Sequence, residues 1–159
     1  MRPVNEADIE WETHDGVEGE FKQKQLGAAA GGKNLGCTLY EIPAGGQPFS
    51  YHYHTANEEA LYVLTGTGTL RLDGDTYALQ KGDYVACPAS ETGGHCVVND
   101  SDEPLQYLAI STMNDPDVTI HPEIDKLGVY VGSPPGKTDE RVLSGFYDLD
   151  AAVESQENE

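Results

Sequence analysis

Basic residues are scarce: nine Lys and Arg stand against 28 Asp and Glu in 159 residues, a formal net charge of -19. An average surface of that sign repels phosphate backbones and anionic lipid heads, which argues against nucleic acid as a partner. No apolar run approaches the roughly 20 residues of a membrane helix. The stretch after Met1 runs straight into Glu6, Asp8 and Glu10, without the hydrophobic segment of a signal peptide. No membrane association is expected, and a cytoplasmic location is. Cysteine is sparse too: Cys37, Cys87 and Cys96 form an odd number without a C-x-x-C pair. Each sits in an apolar strand-like run, so they read as small buried hydrophobes in a reducing compartment. No glycine-rich anion loop and no repeat of fixed period is present. The length fits one domain, with an apolar share just below the usual one and hence a lean core.

The acidic excess has a physical cost, because like charges destabilise a compact state. At ~1 M salt the Debye length falls to ~3 Å and most of that cost disappears. The acids are spread along the chain, as expected of a cytoplasmic protein from a salt-accumulating halophile.

What the sequence does contain is a strongly patterned middle. Short β-rich runs alternate with turn signals: Cys37–Ile42, Tyr51–His54, Ala60–Leu64, Thr69–Leu72, Thr76–Leu79, Tyr84–Cys87, Cys96–Val98 and Leu105–Thr112. Many short strands without a helical period between them predict an all-β sandwich or barrel. Asp73-Gly74 between two alternating runs marks a hairpin, since a type I′ turn needs positive φ at both central residues. Residues 1–34 read as an N-terminal arm, anchored by Ile9, Trp11 and Phe21, that packs on the barrel or across a dimer. Residues 35–113 form the core, and residues 114–147 complete the domain with strands at Val118–His121 and Leu127–Val131 and with Arg141–Tyr147 as either an edge strand or a docked extended tail. Ser133-Pro134-Pro135-Gly136 breaks the chain, and residues 148–159 form an acidic tail, frayed or disordered.

Three of the five histidines, His52, His54 and His95, fall inside the patterned middle. In a strand, residues i and i+2 share a face, so His52 and His54 present two imidazoles side by side. Glu58 and Glu59 follow, and a carboxylate from there completes a three-ligand arc. Imidazole with carboxylate suits Fe, Mn, Ni, Co or Zn as a divalent ion. His14 and His121 have no partner spacing and read as ordinary structural or surface residues.

The spacing extends further. Gly46, five residues, His52-Tyr53-His54, four residues, Glu59, six residues and Gly66 resemble the first motif of the cupin superfamily at every interval. Gly82, five residues and Pro88, with His95 followed after three by Asn99, resemble the second, except that Ser90 replaces a glycine and Glu91-Thr92-Gly93-Gly94 delays His95. The chain looks like a small single-domain cupin of the mannose-6-phosphate-isomerase-like type. The resemblance implies a double-stranded β-helix, or jelly-roll, barrel in which His52, His54, Glu59 and His95 hold one divalent transition metal. Glu59 rather than Glu58 has the interval to Gly66, and it shares a strand face with Leu61 and Val63; Glu58 is expected at the rim. The two glycines before His95 are expected to let the longer loop fold back into register.

Such a metal retains open positions, so the resemblance implies chemistry on a small oxygenated molecule: isomerisation or epimerisation of a sugar or sugar phosphate, or dioxygenase-like cleavage. The rival reading is a non-catalytic module binding a small molecule or a metal. Gln47, Phe49, Tyr51, Tyr53 and Tyr107 are candidates for the pocket wall. Arg71 reads as a surface ion pair, and the absence of an evident phosphate site lowers phosphorylated substrates. A homodimer is expected, because a small barrel leaves a sheet edge open.

Overall fold

The computed structural model describes residues 3–132 and 141–151. Their strands are β1 (Glu12–Asp15), β2 (Glu20–Gln25), β3 (Leu35–Ile42), β4 (Tyr53–His54), β5 (Glu59–Thr65), β6 (Thr67–Leu72) and β7 (Asp75–Gln80). They continue as β8 (Tyr84–Cys87), β9 (His95–Val98), β10 (Leu105–Thr112), β11 (Asp117–His121), β12 (Lys126–Val131) and β13 (Leu143–Asp148). Every run expected to be a strand is one, with ends moved by a residue or two. Asp73 (φ 50°) and Gly74 (φ 82°) both take positive φ, as the hairpin between β6 and β7 demands. The chain break at residues 133–136 and most of the acidic tail lie outside the described residues.

One wall of the barrel is a six-stranded sheet in the order β1-β2-β3-β10-β5-β8. The arm supplies its first two strands: β2 pairs with β3, and Phe21 enters the core at 5% exposure. Lys24 is buried there too, its ammonium 2.8 Å from both the backbone and the carboxylate oxygen of Glu6 and set over the Trp11 ring. The other wall consists of a four-stranded sheet, β13-β12-β11-β4, and a three-stranded one, β7-β6-β9. Among the described residues, backbone pairing joins these two at a single residue pair. His52 and His95 exchange backbone hydrogen bonds of 3.1 and 2.9 Å. That junction explains why β4 is shorter than the expected run from Tyr51: Tyr53 and His54 pair with β11, whereas His52 has crossed over to β9.

Between the walls lies an apolar core of Ile42, Leu61, Val63, Leu70, Leu79, Val85, Val97 and Leu105 with Phe21, Cys87 and Tyr107. On β5 the alternation buries Leu61 and Val63 and exposes Tyr62. Fully burying each of those two side chains is worth roughly 1.5–3 kcal/mol, and a one-residue slip would turn both outward. The same register points Glu59 inward. Hydrophobic burial on β5 thus carries a carboxylate into the barrel.

Candidate metal centre

Inside the barrel the side chains of His52, His54, Glu59 and His95 come together. The Nε2 atoms of His54 and His95 lie 3.4 and 3.3 Å from the same oxygen, Oε2 of Glu59. His52, His54 and Glu59 offer ligand atoms that all fall within 4.8 Å of one another. The His52 ring is centred 5.5 Å from that of His54 and 4.9 Å from that of His95.

Each imidazole is held from behind by an oxygen acceptor. Nδ1–H of His52 donates to the Ser50 carbonyl at 2.8 Å, and Nδ1–H of His95 to the Gly93 carbonyl at 2.9 Å. His54 donates to the Asp117 carboxylate at 2.5 Å. A carbonyl or carboxylate can only accept here, so all three rings carry a proton on Nδ1 and aim Nε2 inward. A metal-binding histidine needs this orientation, with its distal nitrogen donating to an oxygen.

The electrostatics follow from burial and from Glu59. Burial would depress His54, but hydrogen bonds to Asp117 and Glu59 outweigh it and lift its pKa to about 9. His95 behaves alike: burial opposes its charge, and contacts with the Cys87 sulfur and with Glu59 raise it to about 10. Burial would push Glu59 up, yet its bonds to His54 and His95 hold it well below the usual carboxylate range. His52 loses to burial and to the neighbouring His95, falling to about 3, so it stays neutral with a free Nε2 lone pair.

These shifts fix how the metal-free protein responds to pH. Unfolded, His54 and His95 titrate near ~6.5; folded, at about 9 and about 10. Above the unfolded value the native state binds more protons, so stability present below pH ~6.5 is lost as pH rises through about 9 to 10. In chelator, the melting temperature is expected to begin falling just above neutrality. A flat profile from pH 6.5 to 8.5 would contradict the paired imidazolium arrangement.

A cavity of about 460 Å³ opens onto this cluster, lined by His52, His54, Glu59, Phe49, Asp117 and His121 together with Tyr130, Arg141 and Phe146. Of the expected pocket residues, Phe49 borders it, and Tyr107, 4% exposed, flanks the smaller cavity on the other side of His52 and Glu59. Gln47, Tyr51 and Tyr53 fall outside both linings. The Gln47 amide donates to the Phe49 carbonyl, Tyr51 lies under Arg71, and Tyr53 sits on β4 opposite Ile120. Glu58 is exposed and Arg71 is ion-paired with Glu123 at the surface.

His121 departs from the expectation of an ordinary residue. Its ring stacks on His52 at 5.1 Å and 14°, with the Ser50 hydroxyl 2.8 Å from Nδ1 and the Thr119 hydroxyl 3.0 Å from Nε2. The reason lies in β11, which turns Asp117, Thr119 and His121 inward and leaves Val118 and Ile120 half-buried on the other face. Polar residues at alternate positions of a strand, with the apolar ones outside, were the available signal. Cys87 is the buried hydrophobe expected, 2% exposed in the core, and it sits opposite Glu59 across β5 and β8.

The glycines before His95 act by a different cause from the expected one. Neither has positive φ. Instead a Cβ on Gly93 would lie 1.8 Å from the Pro88 carbonyl oxygen, and one on Gly94 would strike the Tyr51 ring. The loop needs the missing side chain, and the 3-10 turn Glu91–Gly93 takes up the added residues.

Residues 38–111 match the protein family described as Cupin domain. The chain is similar to the crystal structure of a protein from Acidithiobacillus ferrooxidans provisionally named a sugar phosphate isomerase. The two are 28% identical, with 95% of this chain and 92% of that one covered and a TM-score of 0.77. A cupin-superfamily protein from Silicibacter pomeroyi, named a sugar phosphate isomerase, shares the fold at 22% identity and a TM-score of 0.78, covering 96% of each chain. An uncharacterised protein of Methanocaldococcus jannaschii is 31% identical over 70 residues. That match spans 44% of this chain and about half (54%) of the relative's length.

Proposed function

We propose, from the premise that this chain belongs to the cupin superfamily through its domain at residues 38–111, that it is a metal-dependent enzyme acting on a small oxygenated molecule, of the sugar or sugar-phosphate isomerase or epimerase type. The observation that carries this reading is the convergence of three inward-aimed Nε2 atoms and one carboxylate inside the barrel, with His52, His54 and Glu59 on the wall of the larger cavity and His95 on that of the smaller one. His52, His54, Glu59 and His95 would hold the ion, and this borderline-to-hard donor set fits Fe, Mn, Ni, Co or Zn. Bound there, the ion would supply Lewis-acid polarisation of a carbonyl or hydroxyl group, or oxygen activation. The protein's own part is to keep the three rings oriented through Ser50, Asp117 and Gly93 and to line the cavity with Phe49, Tyr130 and Phe146. The cavity volume, about 460 Å³, suits a small metabolite. The name carried by the Acidithiobacillus ferrooxidans relative favours isomerisation over oxygenation.

Elemental analysis of the purified protein, with identification of any small molecule it retains, tests the reading. About one transition metal per chain, and turnover that changes with the metal supplied, is the expected result. A full complement of metal with indifferent exchange and no turnover would favour the rival, a binding module.

The finer features belong to the same proposal. The free cysteines support a cytoplasmic setting, and the acidic surface weighs against nucleic acid. No helix among the described residues is long and apolar enough to cross a membrane. Tyr62, Tyr77 and Tyr84 are exposed near β7 and β8, each the last strand of its sheet, which supports a homodimer formed there. Light scattering in molar salt should then give twice the chain mass. The charge of -19 supports salt adaptation, so the melting temperature should rise from low to molar salt. The mass of one chain would remove the dimer, and equal stability at both salt concentrations the adaptation.

A further inference from the structure

We propose that Arg141 is the anion anchor of the cavity, and that the molecule admitted there carries a carboxylate or a phosphate. The inference deepens the proposed function by naming the substrate class.

Arg141 lines the cavity together with His52, His54 and Glu59, although it lies far along the chain from all of them. Its guanidinium sits over the Tyr130 ring, 4.8 Å from the centroid. A stacked guanidinium uses its face and keeps its N–H donors at the edge, in the plane where a carboxylate or phosphate accepts two bonds at once. Tyr130 is itself placed by a gap in the wall. A Cβ on Gly128 would lie 2.9 Å from the Tyr130 hydroxyl and 2.5 Å from Oγ1 of Thr119, so the glycine lets the ring lie over β12.

Two further observations concern its partners among the described residues. Its Nε is buried without a hydrogen-bond partner among the described residues. Lys22, Lys24, Arg71 and Lys126 each hold an acid, while no ion pair among the described residues includes Arg141. The acids on the cavity wall have other bonds. Asp117 binds His54 and the Ala56 amide, and Asp115 accepts from the Gly132 amide. A buried donor without an acceptor is costly to keep and is explained by an external acceptor. In a chain of net charge -19 the average field repels anions, so a substrate anion needs such a local cation to enter.

Glucose, gluconate and glucose 6-phosphate test this, because they share a carbon chain and differ in a neutral, carboxylate or phosphate end. Calorimetric titration of the full-length protein should show one of the anions binding at least ten-fold more tightly than glucose, and the tighter anion identifies the group. Arg141→Gln should remove that preference and Arg141→Lys keep part of it. Arg71→Gln, which deletes the same charge at the surface, should leave it intact. Equal binding of all three probes, no binding of either anion at millimolar concentration, or a preference that survives in Arg141→Gln would overturn the proposal. Metal content measured on the same samples separates the two readings. A metal-free protein that still prefers the anion strikes the enzyme assignment alone, and a metal-loaded one without preference strikes Arg141 alone.

Discussion

Replacing Glu59 by Gln is expected to strip the protein of metal. Glu59 is the one charged group shared by two of the imidazoles, and its side chain is only 17% exposed. An amide of the same shape keeps the packing but removes the negative charge that offsets a divalent ion. Affinity should fall at least ten-fold, since altering even the outer partners of a metal site costs ~10–100-fold. The metal-free form should suffer too, because His54 and His95 lose the acceptor that keeps them charged. Removing one partner of a buried ion pair costs ~3–5 kcal/mol when the other stays charged. The loss here is expected to be smaller, since His54 retains Asp117 and His95 can shed its proton. Glu58→Gln, one residue away on the exposed side, should change neither metal content nor melting temperature. Full metal in Glu59→Gln with loss in Glu58→Gln would mean that the other carboxylate is the ligand.

Gly93→Ala should do comparable damage without touching any ligand. The added methyl would sit 1.8 Å from the Pro88 carbonyl oxygen, a backbone atom that has no rotamer to escape into. Relieving that overlap moves the loop at a cost of ~1–3 kcal/mol. The loop also carries the carbonyl that accepts from His95 Nδ1, so its shift turns the ring away from Glu59. Metal affinity and melting temperature are both expected to drop, with His95 unchanged in sequence. Gly94→Ala makes the informative comparison. There the methyl meets the far end of Tyr51, which can swing outward, and the effect should be several times smaller. Wild-type metal affinity in Gly93→Ala would show that the loop does not position the histidine.

The contrast between these two positions shows where sequence reading succeeds and fails. His52, His54 and Glu59 were legible because strand alternation is local: residues two apart share a face, and Leu61 and Val63 announce which face is buried. His95 was legible only through the resemblance, since no local rule joins it to residues 40 positions earlier. Why its loop needs Gly93 was not legible at all, because the obstacle is the backbone of Pro88 folded against it. His121 and Asp117 were missed because β11 reaches the site by pairing with β4, a contact of more than 60 residues. Its apolar Val118 and Ile120 also lie on the face away from the site, against the usual inward placement of apolar residues. Arg141 was hidden for a similar reason: its surroundings exist only once β12 has joined β11 and brought Tyr130 to the cavity.

The one-residue seam between the two smaller sheets ties the site to the mechanics of the barrel. Where β3 meets β10, eight residue pairs secure the join, whereas among the described residues β4 and β9 are stitched only by His52 and His95. Parting that stitch is a local fluctuation, far cheaper than unfolding the molecule. The same two residues hold out their rings on the inner side, so an ion gripped by both would act as a clasp across this seam. By linkage, whatever pries the seam apart must loosen the ion by the same factor that the ion resists the prying. With an ion bound at this proposed site the barrel would be stiffest, and opening of the seam in the metal-free protein would be a route for the ion to enter.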